Sequence, residues 1–267
     1  QRGMKHVFGC LSSIEKLSFT LMDWIGQQQN SGKLKKPLKI AVMGENTSHG
    51  KEFRQGILDR SKSFPDRFQV VMDEPFELNL KDADPLLQKV KATNADVFLA
   101  DARLADYTTI HRRYSEMGLY HLIVSYGPRG TEKAARDALG QASDYILSCN
   151  WWHKDIPTAA AKAFAEKYQK AYNEPAEWFP ALAYETARVM VKAIEDAGNL
   201  DKARIRDALA KMDLRNSLVV GGRVWFEPNG QINNDYVMMQ NLPGGRVALI
   251  YPKDVATAQA IVPIPKK

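Results

Sequence analysis

The stretch LKIAVMGENTSHGKEFR, Leu38 to Arg54, decides the fold. Leu38, Ile40, Ala41, Val42 and Met43 form a short apolar run with the look of a buried strand. Gly44 to Ser48 follow as a polar turn, and from His49 onward the pattern is that of an amphipathic helix. A strand, a turn and a helix make half of a βαβ unit, and the turn then falls at the carboxyl end of a parallel sheet, where open α/β folds bind their ligands. Gly44, Gly50 and Lys51 resemble a phosphate loop, but five residues separate the glycines instead of four. Glu52 also stands where the magnesium-binding hydroxyl belongs, and a carboxylate there repels a nucleotide. The turn is therefore read as a strand-to-helix loop with a small-molecule contact from Ser48 or His49.

Alternation extends on both sides of this stretch. Lys5 to Gly9 reads as a strand, and Ser12 with Glu15 as a capping box opening a helix through Trp24 and Ile25. Strands are then predicted at Phe68–Met72, Asp96–Ala100, His121–Val124 and Tyr145–Ser148. Between them lie helices at Pro85–Lys91, Tyr107–Met117 and Glu132–Leu139. Such alternation argues for a doubly wound parallel sheet. The pattern then changes to helices at Thr158–Ala171, Ala181–Ala197 and Lys202–Lys211, the second with Ala183, Ala187, Val191 and Ile194 at helical spacing. Strand and turn signals close the chain: Arg223–Phe226, Glu227-Pro-Asn-Gly230, Tyr236–Gln240, Pro243-Gly-Gly245 and Val247–Tyr251.

Composition sets the outer bounds. The 267 residues suffice for one large or two modest domains, and 45% hydrophobic with 25% charged residues is an ordinary globular balance. No apolar run reaches the length of a membrane span and no signal peptide pattern is present, so the chain is read as a mature product or a piece of something longer. The net charge of +6 is spread among acidic residues. Only Lys33, Lys35 and Lys36 cluster, without interleaved aromatics, which argues against a nucleic-acid partner. His6, His49, His111, His121 and His153 show no metal-ligand spacing. There is no G-x-S-x-G elbow and no H-E-x-x-H, so neither catalysis, cofactor nor metal is expected. Asp82 and Asp84 precede a helix and are read as caps rather than as a general acid and base.

Several segments together carry a resemblance. KIAVMGENTSHGKEFRQG, FQVV, KDADPLLQKVKATNADVFLA and HRRYSEMGL are followed by FAEKYQKAYNEPAEWFPALAYETARVMVKAIEDAG, LDKARIRDALAKMD and GRVWFEPNGQ. In this order they are similar to the type I periplasmic solute-binding proteins, in the group that serves branched-chain amino acids, amides and aromatic acids. The resemblance implies two α/β lobes with doubly wound parallel sheets, joined by three crossing strands, and a solute trapped by hinge closure. It also implies that the N-terminal lobe is incomplete here, with roughly the first hundred family residues lacking. On that reading residues 10–149 are a complete α/β lobe, 150–233 a remnant of the other, and 234–267 a crossing strand and C-terminal tail. Partners implied are a small solute, an ABC transporter permease, and either the lacking N-terminal segment or a second copy of the chain. The location implied is periplasmic, or extracellular and membrane-tethered.

The same resemblance proposes the site. Ser48 and His49 follow the first strand, Asp101 and Arg103 the third, and Tyr126 and Arg129 the fourth. Phe179, with Trp178 beside it, matches a position where the family places an aromatic against its ligand; Trp151 and Trp152 are near by the same reasoning or serve as hinge packing. The amino-acid binders of the group carry a glutamate at the position of Gly127 and an aromatic at that of Arg103. Losing an acid and gaining an arginine favours a carboxylate-bearing, aromatic or short organic solute, while Asp101 keeps an amino acid open. A sensor domain and a small α/β enzyme are the alternative classes. If the first two crossing segments lie side by side, Cys10 and Cys149 form a disulfide; two separate thiols are the other reading.

Overall fold

A computed structural model describes residues 4–266. The chain divides into two units: a larger one of Ile14–Asn150 with the stretch from Met238 onward, and a smaller one of the residues up to Ser13 with Trp151–Val237. The backbone thus passes from one unit to the other three times.

The larger unit opens with α1 (Ile14–Asn30). The helix begins one residue later than the predicted capping box requires, so Ser13 rather than Ser12 precedes it, and the Ser12 hydroxyl donates to Asn234 O at 2.8 Å. The elements β1 (Leu38–Glu45), α2 (Ser48–Ser63), β2 (Phe68–Phe76), α3 (Asp84–Ala92), β3 (Val97–Asp101), α4 (Leu104–Glu116), β4 (Ile123–Ser125), α5 (Lys133–Leu139) and β5 (Leu147–Asn150) follow in alternation. β1 buries every residue except Lys39, as a central parallel strand covered on both faces must. One face, with Ala41, Met43, Phe98, Ala100 and Val124, packs on Leu87 and Val90 of α3, Tyr107 and Ile110 of α4 and Ala135 of α5. Each large apolar side chain so buried contributes about 1.5–3 kcal/mol. α1 and α2 pack together, where Ser18 Oγ donates to Phe53 O at 2.9 Å.

The smaller unit holds α6 (Ala159–Tyr172), α7 (Trp178–Ala197), α8 (Lys202–Ala210) and the antiparallel ribbon of β6 (Asp213–Arg215) and β7 (Arg223–Trp225). Lys5 to Gly9 is not a strand: Met4 and Val7 are exposed, and the segment makes a single bridge, Gly9 to Gln231. The predicted stripe of α7 also differs from the one that packs. Trp178, Ala181, Leu182, Glu185, Val189 and Ala193 are buried, whereas Ala183, Ala187 and Val191 face outward. The helix is apolar on two sides, so periodicity alone cannot select the covered one.

Finally β8 (Val237–Leu242) and β9 (Arg246–Tyr251) form an antiparallel hairpin through Gly244 and Gly245, both at positive φ. These strands, expected as a crossing strand and tail, extend the sheet of the larger unit to the order β2-β1-β3-β4-β5-β8-β9. The first five strands are parallel. Their order, 2-1-3-4-5, reverses direction between β1 and β3, and that reversal opens the crevice in which open α/β sheets hold ligands.

Candidate functional site

The switch point places Glu45, the last residue of β1, beside Asp101, the last residue of β3; the two strands run in register with Gly44 opposite Asp101. Both carboxylates are almost fully buried. The turn that follows β1 is tight. Thr47 caps α2 by accepting from Gly50 N at 3.2 Å, and its hydroxyl donates to Glu45 Oε1 at 2.8 Å. A Cβ on Gly50 would stand 2.1 Å from Glu45 O, so this glycine serves strand–helix packing and not a phosphate. The first turn of α2 then presents Ser48 outward and sets His49 Nδ1 2.6 Å from Asp101 Oδ2.

Electrostatics within this group are tightly coupled. Burial opposes charge on His49, but the hydrogen bond and charge of Asp101, with the charge of Glu45, outweigh burial and the opposing Arg129, and the imidazole pKa is raised above its ordinary value. Arg103 precedes α4 with a side chain 60% exposed, its Nε 3.7 Å from Glu45 Oε1. Arg129 lies in a short 3-10 turn after β4 and donates to Glu132 Oε1 at 2.8 Å. That turn is fixed by Ser148, whose hydroxyl donates to Gly127 O at 3.0 Å, and by Asn150 Nδ2, which donates to Pro128 O at 2.8 Å. Gly127 has φ +50°, and a Cβ there would meet Asp101 Oδ1 at 2.8 Å, so its lack of a side chain makes room for the acid.

Of the residues expected from sequence, Ser48, His49, Asp101, Arg103 and Arg129 thus stand in one unit, at or just beyond the carboxyl ends of β1, β3 and β4. Tyr126 does not join them. Its ring is completely buried, 4.1 Å from that of Tyr107 and edge-on to Phe98, and its hydroxyl lies 3.2 Å from His111 Nδ1. In the smaller unit Phe179 is 68% exposed, while Trp178 is buried against Trp151, with ring centroids 5.2 Å apart. Trp151 Nε1 donates to Ser12 O at 3.1 Å, and Trp152 is buried, so both tryptophans act in packing. Glu45 was missed because it reads as a turn residue; it extends β1 through its pairing with Phe76.

Two further readings change. Cys10 and Cys149 are free thiols and form no bridge: Cys149 is sealed in the core with its Sγ 3.6 Å from Leu17 O, and burial raises both thiol pKa values. Ala83 holds the cap position of α3, Asp82 accepts from Asp84 N at 2.8 Å just ahead of it, and Asp84 pairs with Arg113, whose Nη2 lies 2.9 Å from its Oδ2. Among the described residues no helix is long and apolar enough to cross a membrane.

A parallel sheet with charged loops at its switch point is the architecture of a small-molecule binding fold, and comparison with known proteins narrows it. Residues 4–246 match the family described as periplasmic binding protein. A curated relative, Leu/Ile/Val-binding protein homolog 7 of Brucella abortus, is 24% identical over 241 residues. That match takes in 87% of this chain and 59% of the relative, so the chain spans less than two thirds of its length. A leucine-binding protein of Thermotoga maritima shares the fold with TM-score 0.79 at 18% identity, covering 93% of this chain and 68% of that one. A solute-binding protein of R. palustris, solved in complex with benzoate, superposes with TM-score 0.69 at 18% identity, covering 93% and 63%. The chain belongs to the periplasmic binding protein family, in its type I fold.

Proposed function

We propose that this chain is part of a solute-binding receptor of an ABC importer, and that its solute is a small molecule bearing a carboxylate. The observation that carries the reading is Arg103, a guanidinium held at the mouth of the switch-point crevice and largely open to solvent. A guanidinium can grip a carboxylate through two parallel hydrogen bonds. Ser48, at the first turn of α2, adds a hydroxyl beside backbone N–H groups that favour an anion. The leucine named for one structural neighbour and the benzoate held by another share a single polar feature, a carboxylate, and that shared feature supports the same class here. The partner is an importer permease, and the location is the periplasm or the outer face of a membrane to which the protein is tethered. Binding, rather than turnover, is the activity assigned.

The test is calorimetric titration of the purified chain with benzoate and with leucine, beside Arg103→Ala. A charge-assisted hydrogen bond contributes about 1.5–3 kcal/mol, so the variant should bind roughly tenfold to a hundredfold more weakly. Equal affinity in wild type and variant would remove Arg103 from the site.

A further inference from the structure

We propose that Glu45, His49 and Asp101 form a binding site for a divalent transition-metal ion, with Zn2+ the ion that their donors fit best. One imidazole nitrogen and two carboxylate oxygens lie within 4.8 Å of one another. The three donors come from the end of β1, the first turn of α2 and the end of β3. Glu45 and His49 meet across one tight turn, and the pairing of β1 with β3 brings Asp101, far away in sequence, beside them.

The chemistry of the two acids argues for a cation. Glu45 is 4% and Asp101 2% exposed, and a buried carboxylate needs a charged or hydrogen-bonding partner for each oxygen. Asp101 Oδ2 has His49. Glu45 Oε1 accepts from Thr47 at 2.8 Å and stands 3.7 Å from Arg103 Nε, too far for a hydrogen bond. Two buried acids side by side with an imidazole are a donor set that a divalent cation satisfies at once.

Geometry fits as well. Zn2+ with bonds of about 2.0–2.2 Å to nitrogen and oxygen spreads its ligand atoms roughly 3.3 Å apart in a tetrahedron. The ligand atoms already lie within 4.8 Å of one another, at most about 1.5 Å beyond that spacing. The strand ends are held by the sheet and the helix start by its Thr47 cap, so the backbone has no need to move. Three protein donors leave a fourth position open on the side of the half-exposed His49, where water or a solute oxygen would complete the shell. The metal proposal does not depend on the carboxylate reading of the solute.

The experiment uses the full 267-residue chain, stripped with EDTA and desalted, with no solute present. Zn2+ is titrated by calorimetry and Co2+ by visible absorption, in wild type, His49→Ala and Glu45→Gln, with His6→Ala as the control. Expected are one equivalent of Zn2+, a low-coordinate Co2+ spectrum, a loss of at least about tenfold in affinity in His49→Ala, and no change in the control. Because Glu45 is buried, its variant is interpreted only with a wild-type melting curve. His49→Ala, at a half-exposed position, decides the question. A wild-type chain that takes up no Zn2+, or a His49→Ala chain that binds it as tightly as wild type, overturns the proposal. Loss of benzoate or leucine binding in Arg103→Ala leaves this result untouched, so the two readings fail separately.

Discussion

The two units close their cores by different means. In the larger one each of the first four parallel strands is followed by the helix that returns the chain to the next strand, and buried side chains from α3, α4 and α5 interlock on one face of the sheet. The smaller one is assembled from separated stretches of chain. Its only regular strands among the described residues form the β6–β7 ribbon, and α7 shows Phe179, Tyr184, Met190 and Val191 to solvent. A contiguous βα alternation supplies the cover for its own apolar faces. A unit built from separated segments leaves a helix covered on one apolar side and open on the other. The consequence is that substitutions at apolar residues should be costly in the first unit and nearly silent on the outward face of α7.

The largest effect is expected at Phe98, fully buried with its ring stacked on Tyr114 at 5.6 Å and edge-on to Tyr126 at 5.9 Å. Phe98→Ala should lower unfolding free energy by about 3–5 kcal/mol in urea denaturation. A loss below 1 kcal/mol would show that this core is not closed as described.

Next comes pH. Burial lowers the His121 pKa from its ordinary 6.5 to about 4, the charge of Asp96 opposing, and Tyr114 Oη lies 2.7 Å from its Nδ1. The unfolded chain binds this proton more readily than the folded one. The stability it contributes is therefore complete above about pH 6.5 and is lost as pH falls through 4, by about 3 kcal/mol at most. Urea unfolding at pH 7 and pH 4.5 should reveal the slope in wild type, and His121→Gln should flatten it. An unchanged slope in the variant would assign the acid sensitivity to other groups.

A smaller loss is expected at the site. Gly127→Ala must hold φ +50° and press its Cβ toward Asp101 Oδ1, which should cost about 1–3 kcal/mol in thermal or chemical unfolding. A neutral substitution there would mean that the Asp101 carboxylate yields freely. Smallest of all is Val191→Lys on the outward side of α7, where a change within about 0.5 kcal/mol is expected from the same measurement. A loss of several kcal/mol would show that this face is covered in solution, and the contrast between the units would fail.

How much of this was legible in the sequence follows the same division. The stretch around Gly44, the strands that alternate with helices and the placement of Ser48, His49, Asp101 and Arg103 at strand ends could be read because each strand is a short apolar run that a polar turn ends. Glu45 could not, since a glutamate after a glycine looks like a turn until pairing with β2 extends the strand through it. Tyr126 follows β4 as a loop residue should, yet its ring turns back into the aromatic core beside Phe98 and Tyr107. The outward face of α7 and the union of β8 with β5 depend on contacts far apart in sequence, which local periodicity does not encode. That Cys10 and Cys149 are free thiols could not be read from their positions in the chain.

The central claim, recognition of a carboxylate at the switch point of β1 and β3, is tested most directly by pairing each acid with its uncharged amide. Benzoate against benzamide, and leucine against leucinamide, would be titrated into the same chain by calorimetry. The acids should bind at least about tenfold more tightly than their amides. Amides that bind as well as acids would contradict it, because Arg103 would then be gripping nothing that distinguishes the two.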